Sequence, residues 1–184
     1  QFHWRNRGYR DFQDFLDTLT AKRRKNINRE RRLVRQAGLE LQILNGRELS
    51  EAQWRIVHEF YRSTFERLGG MPTLTLPFFQ DIAETLGDRL MLVLAFDQGR
   101  EVAGAISFRS ASTLYGRHWG CRADHDSLHF EACYYQGLDY CIQQGLQPGH
   151  HCFRIAAQLG GERVIRLRGQ RQTRLRSQNQ RFEH

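Results

Sequence analysis

Apolar positions recur along this chain with two periods, and the switches between them mark the elements. Phe2-His3-Trp4 reads as a short strand that Gly8 breaks. Phe12, Phe15, Leu16 and Leu19 then follow the i, i+3, i+4, i+7 spacing of an amphipathic helix, predicting one over 9–19. Thr20 is placed to cap a second helix to Ala37, with Gly38 as its stop. Residues 39–44 alternate with period two, as a half-buried strand does, and Asn45-Gly46 turns it. Ser50 caps a helix over 51–68 with Trp54, Val57, Phe60, Tyr61 and Phe65 on one side. Gly69-Gly70 and Pro72 form a loop, and Pro77 opens a short helix to Leu86. Residues 89–96 and 101–109 flank an Asp-Gln-Gly-Arg turn and predict a hairpin, with a third strand over 113–121. Asp126 or Ser127 caps a last helix that runs through Gln144 and stops at Gly145. Strands and helices in this order predict an α/β (α+β) domain, a mixed and mostly antiparallel sheet flanked by helices.

Composition narrows the class. At 184 residues, 40% hydrophobic and 26% charged, the chain suits one globular domain with a real core. The longest apolar run, Leu90 to Phe96, is strand-sized, so no membrane span is expected. Four cysteines without CxxC pairing predict reduced thiols and a cytoplasmic protein. The net charge of +8 is uneven. From Pro148 onward eight arginines face two glutamates, so this segment carries +6 and residues 1–147 only +2. The chain therefore divides into a domain over 1–147 and an Arg-rich, off-pattern tail over 148–184.

Several longer stretches carry chemistry. They are Phe2-His3-Trp4-Arg5-Asn6, Lys22-Arg23-Arg24-Lys25-Asn26-Ile27, Leu114-Tyr115-Gly116-Arg117 with Trp119-Gly120-Cys121, and Leu128-His129-Phe130-Glu131-Ala132-Cys133-Tyr134-Tyr135-Gln136. Together they resemble the Fem-like branch of the GNAT N-acyltransferase superfamily, in the bacterial family of peptidoglycan biosynthesis and recognition. The resemblance covers residues 1–147 and implies the C-terminal half of longer relatives. It implies a GNAT-type sheet with a splayed central strand, and a following helix whose N-terminus, at Ser127, meets the donor. It implies transfer of an acyl or aminoacyl group to an amine on a small molecule or cell-wall precursor. The donor it implies is acyl-CoA or an aminoacyl-tRNA, with the choice between them open. The GNAT pyrophosphate loop, Arg/Gln-x-x-Gly-x-Gly/Ala, is not visible in this sequence. The arginine-rich tail interrupts the place of a closing strand, so a strand and part of the site are expected to be missing. The other readings are a non-catalytic recognition domain for a wall precursor or RNA, and an inactive remnant.

Within that frame each candidate residue has a plain alternative. Glu131 is the expected general base or amine anchor, and its plain role is to complement the helix dipole. His129 is a proton shuttle or a satisfied, partly buried histidine. Strand alternation puts Tyr115, Arg117 and Trp119 on one face. There Tyr115 could protonate a leaving group, and Arg117 and Trp119 could line the substrate, or the three could simply pack as a ladder. Tyr134 and Tyr135 join the substrate-binding set, and Gly116, Gly120 and Ser127 the donor-binding set. Cys121, His125, His129 and Cys133 recur every fourth residue and suggest zinc, but a helix would spread them over roughly 18 Å. No metal is expected. A thioester role for Cys121 lacks an activating neighbour in sequence. The basic run over 22–32 fits tRNA phosphates, an anionic wall precursor, or a solvated face.

Overall fold

The computed structural model describes residues 2–146 and the strand Phe153–Ile155. The order is β1 (Phe2–Trp4), α1 (Phe12–Asp17), α2 (Ala21–Gln36), β2 (Glu40–Asn45), α3 (Glu51–Arg67), α4 (Leu76–Leu86), β3 (Leu90–Asp97), β4 (Arg100–Arg109) and β5 (Leu114–Cys121). A helical run follows: α5 (Leu128–Phe130), a π-helical turn (Glu131–Tyr135) and α6 (Gln136–Gln143). β6 (Phe153–Ile155) ends the described chain. The strands form one sheet in the order β1-β6-β5-β4-β3-β2, in which β5 and β6 are the one parallel pair among the described strands. This is the mixed, mostly antiparallel sheet expected from the sequence.

Local chemistry explains most boundaries. Ser50 makes a full capping box with Gln53, which fixes the start of α3. α1 starts later than its apolar spacing suggests. Asn6 Oδ1 accepts the N–H groups of Gly8 and Tyr9, which holds the chain in a turn, and Asp11 then caps the helix through Asp14 N–H. Pro77 sits one residue inside α4, whose cap is Thr75.

The sheet buries both faces. Leu90, Leu92, Leu94 and Ile106 pack against Trp54, Val57 and Tyr61 of α3 and Phe79 of α4. Met91, Val93, Ala105 and Leu114 pack on the other face against Phe12, Phe15, Ile27, Leu138 and Ile142. β3 is therefore apolar at seven successive positions, because water reaches neither side of it.

The expectation of a missing closing strand is corrected. Phe153–Ile155, inside the arginine-rich segment, pairs in parallel with Leu114–Gly116 and antiparallel with Phe2–Trp4. A three-residue strand is too short to announce itself by periodicity. Residues 147–152 and 156–184, and with them most of the expected tail, lie outside the described residues.

Candidate active site

β5 carries the feature on which the site depends. Its register against β4 slips between Ile106↔His118 and Ser107↔Gly116, leaving Arg117 with no opposite residue. This is a β-bulge, and it resets the alternation of side chains. Tyr115 pairs with Phe108, which packs on the α3 and α4 side. Trp119 pairs with Ala105, on the opposite side. The single face expected for Tyr115, Arg117 and Trp119 is therefore corrected: the extra residue separates Tyr115 from Trp119.

The described pairing of β5 with β6 spans Leu114–Gly116. Arg122 N–H bonds Val102 O, so antiparallel alternation turns the backbone of Trp119 and Cys121 away from β4. Helix α3 meets the carbonyls there. Thr64 Oγ1 donates to Trp119 O, and Arg67 Nη2 donates to Cys121 O at 2.9 Å. α3 comes so near that a Cβ on Gly120 would lie 1.8 Å from Phe60 O. The close approach that Gly120 permits is thus the approach of a helix backbone, and its expected place beside a donor is corrected.

On the opposite face a small cleft, about 30 Å³, opens between the bulge and the helical run. Ser107, Gly116, Arg117, Trp119, His129, Cys133 and Tyr134 are in its wall. The imidazole of His129 lies edge-on to Trp119 at 5.4 Å and to Tyr134 at 5.8 Å between ring centroids. In an α-helix, residues five apart point about 140° away from each other. Here Gln136 N–H bonds Glu131 O five residues back, and this π turn brings His129 and Tyr134 onto one side. Burial holds the His129 imidazole below its ordinary pKa and the Tyr134 phenol above.

Glu131 is not in that wall. It is buried, with Arg31 Nε 3.2 Å and Gln136 Nε2 2.8 Å from Oε1, while Oε2 is sealed without a hydrogen-bond partner. Arg31 also reaches Asp139 at 3.6 Å and stacks over Phe12. Tyr135 is core: its ring packs on Phe12 and its hydroxyl donates to Glu30. Ser127 holds the cap position at φ +66° but makes no side-chain cap, so the helix start expected there is not built by its hydroxyl. His118 sits edge-on to Tyr61 with Nδ1 buried and unpartnered, and burial lowers its pKa to about 4.

A second, larger groove of about 480 Å³ is open and charged, lined by Glu59, Glu66, Arg67, Cys121 and Arg122 among others. Arg67 lies 3.6 Å from Cys121 Sγ, yet burial outweighs it and pushes that thiol up, away from nucleophile character. Among the described residues no group of His, Cys, Asp and Glu could hold a metal ion, and no helix is long and apolar enough to cross a membrane. On α2, Lys22, Lys25, Arg29 and Arg32 are exposed and share one face, while Ile27 and Val34 are buried.

Comparison with known proteins shows the family of the chain. The FemAB-like family, described as peptidoglycan biosynthesis/recognition, matches residues 1–177. The chain belongs to this family. That agrees with the Fem-like resemblance of its sequence motifs, and the match continues through β6. No curated protein matches the chain. Among solved structures, it is similar to an aminoglycoside acetyltransferase from an uncultured soil metagenomic sample, in complex with trehalose. That likeness has 12% identity over 65% of this chain and 78% of the other, with a TM-score of 0.47. Aminoglycoside N-acetyltransferase AAC(6')-Iy in complex with CoA is 12% identical over 65% and 77%, TM-score 0.40. A possible acetyltransferase from Clostridium difficile 630 is 9% identical over 64% and 80%, TM-score 0.39.

Proposed function

We propose that the protein is an N-acyltransferase that moves an acyl or aminoacyl group onto an amine, in the metabolism of peptidoglycan precursors. The observation that carries this is the cleft at the bulge, where the outward-turned backbone of Trp119 and the buried imidazole of His129, whose burial favours its neutral form, share one wall. In this reading the donor carbonyl lies against the N–H groups of Arg117 and Trp119, which polarise its oxygen. The amine nitrogen attacks the carbonyl carbon, and His129 takes the proton that the nitrogen sheds. The C–S bond of a thioester or the C–O bond of an ester breaks, and Tyr134 protonates the leaving group. The cleft is far smaller than the roughly 300–1,000 Å³ of sites that engulf whole ligands. It suits the reacting group alone, with the body of an acyl-CoA or an aminoacyl-tRNA outside. Family membership supports the precursor as the acceptor.

The test is transfer from a panel of acyl-CoAs and aminoacyl-tRNAs to amine acceptors, including a peptidoglycan stem peptide, read by mass spectrometry. His129→Gln is expected to lower kcat by about 100-fold or more with an unchanged melting temperature. Undiminished turnover in that variant, or no transfer from any donor, refutes the reading. The exposed basic face of α2 favours a second reading, recognition of an anionic polymer without catalysis. Binding that weakens steeply with salt and leads to no transfer would identify it.

A further inference from the structure

The helical run beside the cleft is α-helical at both ends and π-helical only over Glu131–Tyr135. A π turn carries one residue more than the α-helix around it and is rare, which directs attention to contacts from outside its own backbone. The candidates lie on α2. Arg31 and Glu30 are consecutive residues there, and each grips the π turn: Arg31 takes Glu131, the first residue of the turn, and Glu30 takes the hydroxyl of Tyr135, the last. Gln136 closes the first grip from the side. Both partners of the Arg31–Glu131 pair are largely shielded, at 19% and 5% side-chain exposure. An ion pair so placed is geometrically demanding, because a shift of either element strands a charge.

We infer that Arg31 and Glu131 are positioning residues: the clamp from α2 keeps the π turn wound, and the π turn is what sets His129 beside Tyr134 in the cleft wall. Released from the clamp, the run relaxes to an α-helix, and the two side chains part by most of half a turn. The inference rests on the proposed reaction only for the purpose of the pairing. The pairing itself is a property of the folded chain and is measurable without any substrate. It also gives Glu131 a task other than proton transfer, through the backbone that it braces.

The experiment uses the full chain with isotope-labelled histidine and tyrosine. In the wild type, ring protons of His129 and Tyr134 give a nuclear Overhauser contact, and His129 titrates below its ordinary value of 6.5. Arg31→Gln is expected to remove the contact and move the titration of His129 up toward 6.5. Arg31→Lys, which keeps the charge, restores part of both. Gln136→Ala keeps the ion pair, loses the 2.8 Å bond, and shifts both readouts in the same direction by less, which covers the case that Arg31→Gln does not fold. Gly104→Ala, in the sheet and away from the clamp, serves as a control that leaves the contact and the titration in place. If Arg31→Gln or, should that variant be unfolded, Gln136→Ala keeps the wild-type contact and titration, the positioning role is refuted. Where transfer has been established, Arg31→Gln also lowers kcat at least 10-fold with little change in KM. Absence of transfer with every donor tells against the proposed reaction, while the two spectroscopic readouts still decide the role of the clamp.

Discussion

Replacing Gly120 with alanine tests the packing of α3 on β5 and, with it, what that glycine is for. A Cβ built there lies 1.8 Å from Phe60 O, 2.3 Å from its carbonyl carbon and 2.8 Å from its Cα. These are backbone atoms, so no rotamer change relieves the overlap, and ordinary contact requires α3 to retreat by roughly 1.5 Å. Such a retreat strains the packing of Trp54, Val57 and Tyr61 on the sheet, at about 1–3 kcal/mol for an overpacked core. It also stretches the bonds from Thr64 to Trp119 O and from Arg67 to Cys121 O, each worth about 1 kcal/mol. The total is about 3–5 kcal/mol, which for a chain of this size lowers the melting temperature by roughly 6–20 °C. Gly104→Ala is the internal comparison. The atoms nearest its Cβ are side-chain carbons of Leu94 and Phe60, at 3.2 Å, which can shift by a few tenths of an ångström, so the expected cost is about 1 kcal/mol, the low end for an overpacked core. Thermal and urea unfolding followed by circular dichroism measure both. Equal melting temperatures for the two variants, within about 2 °C, would show that the α3 contact is not what Gly120 serves. A stable Gly120→Ala protein that failed only to bind a donor would return the residue to the ligand site.

Stability is expected to fall in mild acid because of His118. Its pKa is about 4 in the folded chain and 6.5 in the unfolded one, so between these values the unfolded state binds the extra proton. The contribution is complete above pH 6.5 and is lost as pH falls to about 4. It amounts to about 3 kcal/mol at most. Urea unfolding at pH 7 and pH 4.5 should show that loss diminished in His118→Gln, and an identical pH dependence in both proteins would refute it. Burial drives the thiol of Cys133 well above the usual range, so it should resist iodoacetamide at pH 7.5 in the folded protein and react promptly in urea. Equal labelling rates, read by peptide mass spectrometry, would contradict that burial. Tyr61 Oη accepts the N–H groups of both Thr73 and Leu74, so Tyr61→Phe should cost about 1–3 kcal/mol and speed amide exchange at those two positions. Unchanged exchange there would mean that other contacts hold the loop.

Much of this protein was legible along the chain, because the signals are local. The heptad-like apolar spacing of α1 and α3, the cap at Ser50, the uninterrupted apolar run of β3 and the turn at Gln98-Gly99 each act over a few residues. The family resemblance, too, rested on contiguous words of sequence such as those around Trp119 and His129. Four things were decided only by the folded structure. One is the bulge at Arg117, which parts Tyr115 from Trp119: a slip in register belongs to two strands, and neither records it alone. Another is β6, three residues long, which exists because β5 and β1 supply its hydrogen bonds. The third is the partner of Glu131, a hundred residues away on α2. The last is the π turn, which overrides the α-helical spacing that put His129 and Tyr134 on different faces. Periodicity assumes that each element is regular and solitary. A cleft is made where elements meet and regularity fails: Arg117, Trp119, His129 and Tyr134 stood out along the sequence, while their arrangement was set by contacts that no local pattern encodes.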